Sequence, residues 1–388
     1  MRILFVIPTL TGGGAERAMS NITTHLPKGV DADILVNSVS DLDYPTDAKV
    51  YNLGMRPVNN KSLVYQVIAA IRRIFHLKKL KKAFRYDACI SFMDSANICN
   101  ILSGKNCKVI ISVRIQLSKS KSMVYKCIVS PFVKCLYNRA DNVVAVSEGI
   151  KQDLIDIYRI KENKIVTITN GFDISEIEKK ASEDIDVSID KDKFIFIAVG
   201  RYSNQKGHWH LIRAFSEVVR KCGKNVQLII LGQGPLKHYL NQIIDETGLK
   251  ESVTLMPYSQ NPYAIMRHCS VYVIPSLYEG YSNSLCEAII CGLPCIATDF
   301  KSSAREILAP DTDYNCEIHE GIEEVKYGII TPVCSGIHYN GNEKLEPAEE
   351  YLAYAMTRMY IKMQSFGDPD YRYFDINAKV NQYLSLVL

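Results

Sequence analysis

Two glutamates eight residues apart, Glu279 and Glu287, flank the predicted start of a helix in the stretch PSLYEGYSNSLCEAIICGLPCIATDF, residues 275–300. The N–H groups of the predicted first turn, on Asn283, Ser284 and Leu285, are expected to point out of the helix start, and such groups bind anions, phosphates above all. Carboxylates repel phosphate, so a ligand that accepts both must carry hydroxyls around its phosphates. A nucleotide sugar has such hydroxyls at both ends. The alternative is a capping glutamate and a solvated helix face.

The elements around this helix are also readable from the sequence. The runs VYVIPS and CIAT on either side are typical of buried parallel strands. Ser282 or Asn283 is placed to be the N-cap, and Gly292, followed by Leu293 and Pro294, ends the helix. The helix start is therefore predicted to lie at the carboxyl edge of a parallel sheet.

The run EGYSNSLCEAIICGLP resembles the E-x7-E signature of family-4 retaining glycosyltransferases, which have the GT-B fold. The following TDFKSSAREIL resembles the polysaccharide-building branch of that family. The resemblance implies that Glu279 contacts hydroxyls of the donor sugar and that Glu287 binds the ribose.

A second group of polar residues follows the predicted strand KFIFIAVG, where the chain continues as RYSNQKG. The resemblance implies that Arg201 and Lys206, beside Gly200, lie on the donor diphosphate and neutralise the leaving group. It also implies that Gly232, in LGQGP, belongs to a glycine turn over the nucleotide. Without this context, an arginine and a lysine are ordinary surface residues.

The first strand ends in a glycine loop, MRILFVIPTLTGGGAE. Arg17 stands where the dinucleotide fingerprint needs its last glycine, which disfavours a dehydrogenase. The resemblance implies that Gly13 and Gly14 approach the donor phosphate, although a plain tight turn remains an alternative. Many family members carry a histidine near the end of the fourth strand. This chain reads SVRIQLSK there, and we expect Arg114 to contact the acceptor or the phosphates.

Strands alternate with helices through both halves of the 388-residue chain. This pattern predicts an α/β protein with two parallel-sheet domains. With the resemblance, we expect a GT-B fold, in which two Rossmann-like domains face an interdomain cleft. The acceptor-side domain is predicted to comprise residues 1–178 and 371–388, and the donor-binding domain residues 190–370. Residues 176–193, which are highly charged, are predicted to form the linker.

The composition excludes several classes of protein. The twelve cysteines include no C-x-x-C pair and are interpreted as reduced thiols, and neither they nor the D-x-D pairs predict a metal site. No apolar run approaches the roughly 18 residues of a spanning helix, and the N-terminus is read as a core strand, so we expect a cytoplasmic protein. We expect no cofactor, a metal-independent reaction and, at a net charge of +4, no nucleic-acid partner.

The predicted helix at residues 62–84 carries six basic residues beside an apolar stripe. This pattern favours a peripheral contact with the inner face of the cell membrane, and the mixed stretch at residues 119–134 supports it. A solvated face of an ordinary packing helix is the alternative. The basic residues of the helix are Arg72, Arg73, Lys78, Lys79, Lys81 and Lys82.

These observations predict a retaining glycosyltransferase that moves a sugar from a nucleotide-diphosphate donor, UDP-linked, to an acceptor hydroxyl. The polysaccharide-like signature and the basic helix favour a lipid-linked or polysaccharide-precursor glycan as the acceptor. A nucleotide-sugar 2-epimerase of the same fold is the enzymatic alternative. A noncatalytic glycan- or nucleotide-binding protein is the alternative from another class.

Overall fold

A computed structural model describes residues 1–55, 63–119, 129–185, 187, 189–190, 192–301, 303–362, 366 and 370–388. The chain divides into two compact units, Met1–Asp173 with Phe374–Leu388, and Ile174–Tyr373. Most of the stretch at residues 119–134 that was predicted to support a membrane contact, namely residues 120–128, lies outside the described residues, as does residue 62 of the basic helix.

The first unit is built on a parallel sheet of seven strands in the order β3-β2-β1-β4-β5-β6-β7. The central strands are buried on both faces, which explains their continuous apolar runs. The strands are β1 Arg2–Val6, β2 Asp31–Val36, β3 Lys49–Asn52, β4 Ala88–Phe92, β5 Lys108–Val113, β6 Asn142–Ala145 and β7 Ile165–Thr167.

The second unit also contains seven strands, in the order β10-β9-β8-β11-β12-β14-β13. Its strand pairs are parallel except for β13 and β14, which are antiparallel. The strands are β8 Phe194–Val199, β9 Val226–Leu231, β10 Val253–Met256, β11 Val271–Ile274, β12 Cys295–Thr298, β13 Glu323–Val325 and β14 Gly328–Thr331. The alternation predicted from the sequence is confirmed in both units.

Helices connect the strands within each unit. Those of the first unit are α1 Gly14–Thr24, α2 Leu63–Phe84, α3 Asp94–Leu102, α4 Ser130–Leu136, α5 Glu148–Asp156 and, at the end of the chain, α13 Ile376–Ser385. Those of the second unit are α6 Ile174–Ala181, α7 His208–Cys222, α8 Lys237–Glu246, α9 Pro262–Met266, α10 Asn283–Ile290, α11 Ala304–Leu308 and α12 Pro347–Ile361.

The predicted linker at residues 176–193 was wrong in its first part, because α6 is a helix of the second unit. Ile177 and Ala181 are buried on one face of α6, and the main-chain oxygen of Lys180 accepts a hydrogen bond from Asn261 at 2.8 Å. The second unit therefore begins at Ile174, which precedes the predicted end of the first domain at residue 178.

Two basic residues of α2 do not lie on its exposed face, which corrects the sequence-based interpretation. Arg73 is 3% exposed and donates to Asn37 Oδ1 at 2.8 Å. Lys81 is 1% exposed, and its ammonium donates to Asn100 Oδ1 at 2.8 Å and to the main-chain oxygen of Gly104 at 3.2 Å. Both cations stabilise the packing of α2 on its own unit, since the bonds compensate their desolvation.

Candidate active site

The second sheet reverses its strand order between β8 and β11, which are neighbours. The carboxyl ends of two such strands open a crevice in which α/β proteins bind ligands. Residues 200–206 follow β8 and residues 275–282 follow β11, so the sheet topology brings the two polar segments to the same edge. Residues 200–206 form the β8 loop, and residues 275–282 form the β11 loop.

Lys206 and Glu279 form the centre of this edge. The ammonium of Lys206 donates to Glu279 Oε1 at 2.6 Å, although 73 residues separate the two. The side chains are 17% and 9% exposed, so bulk water screens the pair only partly. The predicted carboxylate and one of the two predicted cations thus lie in direct contact.

Two further residues hold the Glu279 carboxylate, and the sequence reasoning missed both. Ser276 donates to Oε1 at 2.7 Å, and Gln205 donates to Oε2 at 3.0 Å. Gln205 immediately precedes the predicted lysine, and Ser276 lies at the end of a predicted strand. Their positions next to residues already singled out were the available signal.

Two glycines make room for this arrangement. A Cβ on Gly200 would lie 3.0 Å from Cε of Lys206, so the lysine stem passes directly over the Gly200 backbone. A Cβ on Gly232 would lie 2.0 Å from the main-chain oxygen of Gly200. The predicted glycine turn after β9 therefore packs against the start of the β8 loop, and Gly200, Gly232 and Lys206 are brought together.

Helix α10 begins at Asn283, with Ser282 as its N-cap. Ser284 and Leu285 continue its first turn. Asn283 is four residues after Glu279, so the predicted anion-binding helix start follows the β11 loop directly. Glu287 lies on the next turn and is 3% exposed.

Tyr272, on β11, has a buried hydroxyl group whose pKa responds to the charges of both glutamates. Burial raises the pKa of Tyr272, and the negative charges of Glu287 and Glu279 raise that pKa further. Both carboxylates therefore act on one buried phenol.

Arg201 follows Gly200 directly and is exposed. Its place at the carboxyl end of β8 keeps it within the β8 loop, on the same short segment as Lys206.

His208 begins α7, two residues after Lys206, and is 2% exposed. Burial and the nearby charge of Lys206 lower the pKa of His208 to about 3. The imidazole is therefore neutral near pH 7 and adds no positive charge to that of Lys206.

The remaining predicted site residues lie in the first unit. Gly13 is the N-cap of α1 and Gly14 its first residue, and a Cβ on Gly13 would lie 2.2 Å from Oε2 of Glu16. The reversal of strand order in this unit falls between β1 and β4, so the glycine loop after β1 lies at the corresponding position of the first sheet.

Arg114 follows β5 at the carboxyl edge of the first sheet. Its guanidinium donates to Asn170 Oδ1 and to the hydroxyl of Tyr383, the latter at 3.5 Å, and lies 4.5 Å from the centre of the Phe92 ring. Burial lowers the pKa of Arg114 from its ordinary value.

One group of residues in the described part of the chain has the spacing of a metal site. Ligand atoms of His210, Cys334 and Glu346 lie within 4.8 Å of one another. Both imidazole nitrogens already have partners, however, since Nδ1 lies 2.7 Å from Glu349 Oε1 and Nε2 accepts from Gly336 N at 3.1 Å. The donor set thus lacks a nitrogen lone pair for a metal, and these contacts hold the chain at Gly336 against α7.

Two family descriptions match the sequence. Residues 12–176 match Glycosyltransferase Family 4, and residues 179–325 match Glycosyl transferases group 1. The two matches meet near the boundary between the structural units.

Individual proteins are similar over most of the chain. An uncharacterised glycosyltransferase of Methanocaldococcus jannaschii is 32% identical over 338 residues, which are 82% of this chain and 83% of that protein. The N-acetylgalactosamine-N,N'-diacetylbacillosaminyl-diphospho-undecaprenol 4-alpha-N-acetylgalactosaminyltransferase of Campylobacter jejuni is 31% identical over 316 residues, which are 79% of this chain and 82% of that protein. The crystal structure of Anabaena HepE in complex with UDP and glucose superposes with a TM-score of 0.70 at 17% identity, covering 99% of each chain. The last similarity concerns the fold alone.

Proposed function

Because the chain belongs to glycosyltransferase family 4 and is a glycosyltransferase of the GT-B type, we propose that it moves a sugar from a UDP donor to an acceptor hydroxyl with retention of the anomeric configuration. The contact of Lys206 with Glu279 carries this proposal. It joins a cation suited to a diphosphate and a carboxylate suited to sugar hydroxyls at one sheet edge.

The second unit supplies the donor site in this proposal. Glu279 accepts hydrogen bonds from hydroxyls of the sugar, and Glu287 accepts those of the ribose. Lys206 and Arg201 neutralise the diphosphate. The backbone at Gly200 and Gly232 lies beside the nucleotide, and the N–H groups of Asn283, Ser284 and Leu285 face the phosphates.

The chemical step breaks the bond between the anomeric carbon and the diphosphate oxygen. Negative charge grows on the departing diphosphate, and Lys206, Arg201 and the start of α10 stabilise it. The acceptor hydroxyl attacks from the face that the diphosphate leaves, a new carbon–oxygen bond forms, and the acceptor proton passes to the departing phosphate oxygen. The step is metal-independent in this proposal, since the cationic side chains neutralise the leaving group.

The acceptor is a lipid-linked or polysaccharide-precursor glycan in this proposal, and the first unit binds it. The name of the Campylobacter relative, which includes a diphospho-undecaprenol acceptor, supports a glycan on a lipid diphosphate. Arg114 provides positive charge at the carboxyl edge of the first sheet, and the glycine loop at Gly13 and Gly14 follows β1 at the same edge.

Turnover of a panel of nucleotide sugars tests the proposal, starting with UDP-N-acetylgalactosamine and continuing with UDP-N-acetylglucosamine, UDP-glucose and UDP-galactose. We expect UDP release that continues in EDTA and, with a lipid-diphosphate glycan, a product whose anomeric configuration by NMR is that of the donor. Release of a free epimerised sugar nucleotide, or an inverted product, would contradict the proposal.

Single substitutions test the residues proposed to bind the diphosphate and the ribose of the donor. Arg201→Ala is expected to reduce turnover by about 100-fold, because it removes charge stabilisation at the leaving group. Glu287→Ala is expected to weaken the binding of UDP. Arg220→Ala, which removes an exposed arginine on α7, is the control. Wild-type kinetics for both site variants would remove the donor assignment.

We further propose that α2 contacts an anionic membrane surface. None of the helices in the described ranges is long and apolar enough to span a bilayer. Most of the exposed side chains in the first half of α2 are apolar, and Val64 and Val67 are 68% and 50% exposed there, beside the exposed polar side chains of Gln66 and Arg72. Phe75, just beyond the midpoint, is 67% exposed. Exposed basic residues follow at Lys78, Lys79 and Lys82. An apolar half can enter the headgroup region while the basic half attracts anionic lipids, which would hold the enzyme at the inner face of the membrane.

Co-sedimentation with phosphatidylglycerol vesicles tests this contact. Replacing Lys78, Lys79 and Lys82 with glutamine should reduce binding at low salt, and Phe75→Ser should reduce it at all salt concentrations. The matched control replaces three exposed lysines of the second unit, Lys224, Lys237 and Lys250, with glutamine. Equal binding by the two triple variants would contradict the proposal.

A further inference from the structure

Gln205 joins the two loops of the candidate active site. Its side-chain amide donates to Glu279 Oε2 and to the main-chain oxygen of Tyr278, each at 3.0 Å. Its main-chain oxygen accepts from the N–H of Leu277 at 2.8 Å. An amide has two N–H donors, and both are directed at the β11 loop. One residue of the β8 loop thus contacts three consecutive residues of the β11 loop.

Glu279 is held on its other oxygen by a buried support. Ser276 donates to Oε1 at 2.7 Å, and the hydroxyl of Thr298 donates to the main-chain oxygen of Ser276 at 2.6 Å. Ser276 and Thr298 are completely buried. The carboxylate is therefore fixed in rotation, because both of its oxygens are bonded to groups that packing holds in place.

The donor diphosphate changes the surroundings of Glu279 in the proposed reaction. Lys206 bonds to Glu279, and a donor diphosphate would compete for the same ammonium. When Lys206 turns toward the phosphates, Gln205 and Ser276 remain as donors to the carboxylate. The terminal torsion of a glutamate is broad, so without these donors the carboxylate could rotate away from the sugar.

We propose that Gln205 is a positioning residue, which holds the Glu279 carboxylate toward the donor sugar while Lys206 moves to the diphosphate. The inference rests on the donor site described under the proposed function. It predicts that the effect of Gln205 is transmitted through Glu279, and that the diphosphate end of the site does not depend on it.

Gln205→Met tests this role, because methionine has nearly the same volume and no N–H donor. Gln242→Met is the matched control, because it changes an exposed glutamine of α8 that donates to Glu246 of the same helix. We expect Gln205→Met to bind UDP within threefold of the wild type and to turn over the preferred UDP-sugar of the panel 10- to 100-fold more slowly. Gln205→Met added to Glu279→Gln should reduce turnover no more than twofold further.

Ser276→Ala is the second variant, since it removes one hydroxyl donor to Glu279 and is expected to slow turnover while UDP binding is retained. It carries the test if Gln205→Met does not fold, as judged by its thermal unfolding. Wild-type turnover of Gln205→Met, or fully multiplicative effects of Gln205→Met and Glu279→Gln, would overturn the inference. Failure of the wild type to bind UDP would instead overturn the proposed donor site.

Discussion

Lys206 reaches Glu279 across the space that the absent side chain of Gly200 leaves open. A methyl group there would lie 3.0 Å from Cε and 3.2 Å from Cδ of the lysine, so the flexible stem must shift by a few tenths of an ångström. We predict that Gly200→Ala folds but turns over donor roughly 10-fold more slowly, because a small misplacement of a charged group is costly in a preorganised site. Steady-state kinetics on the preferred UDP-sugar measure this effect.

Gly232→Ala is the contrasting substitution. Its methyl group would lie 2.0 Å from a main-chain oxygen, and a backbone atom cannot move aside as a lysine stem can. Thermal unfolding should therefore show a much larger loss of stability for Gly232→Ala than for Gly200→Ala. The opposite order would contradict this account of the two glycines.

His208 gives the protein a pH dependence of stability. Burial and Lys206 lower its pKa to about 3 in the folded chain, whereas an unfolded histidine has a pKa of about 6.5. Between these values the unfolded state binds the proton and the folded state does not, so stability falls as the pH decreases from 7. One such group lowers the free energy of unfolding by about 2 kcal/mol at pH 5.

Urea unfolding at pH 7 and pH 5 measures this contribution. His208→Phe should lose less stability between the two pH values than the wild type, and His238→Phe, at an exposed position, should lose as much as the wild type. Equal losses in all three proteins would show that His208 does not titrate as expected.

At the scale of the element, periodicity predicts a helix but not the face that will be buried. The repeat of α2 was visible in the sequence, whereas the burial of Arg73 and Lys81 depends on Asn37 and Asn100, which lie on other elements. The short helix α6 was missed for another reason. Its charges outnumber its apolar residues, although Ile174, Ile177 and Ala181 have helical spacing.

Helices α7 and α12 are joined by a fully buried ion pair. Arg213 donates to Glu349 from Nε at 2.9 Å and from a terminal nitrogen at 3.0 Å, and both side chains are inaccessible to solvent. We predict that Glu349→Gln destabilises the second unit by about 3 kcal/mol or more, because it leaves a buried guanidinium without its counterion. The free energy of unfolding by urea measures the effect.

The matched control is Glu217→Gln, which breaks an exposed ion pair with Arg220 on α7. It should change stability little, because water screens the pair. If Arg213→Met combined with Glu349→Leu were no more stable than Glu349→Gln alone, the unpaired charge would not be the cause.

At the scale of the whole molecule, the sequence predicted the two parallel sheets and the family, and both are confirmed. Alternating apolar runs are local properties, and so is the glutamate signature. The contact of Gln205 with Glu279 is different, because it exists only after β8 and β11 become neighbours in the sheet. Tertiary contacts of this kind leave no trace in the spacing of residues, which is why the charged residues were predicted and their supports were not.

The last helix, α13, completes the core of the first unit, although it is separated from the rest of that unit by 200 residues. Tyr383 and Val380 pack with Ile3 and Phe5 in one apolar cluster. We predict that Tyr383→Ala destabilises the first unit by about 3–5 kcal/mol, because it leaves a cavity beside the central strands.

Hydrogen exchange followed by mass spectrometry can place this effect on the chain. In Tyr383→Ala, exchange should accelerate in Met1–Asp173 and remain unchanged in most of Ile174–Tyr373, because the substituted side chain packs within the first unit. Met356→Ala, at a buried position of α12, should give the reverse pattern. Acceleration of exchange in both units for either variant would mean that the two cores unfold together, which would contradict this prediction.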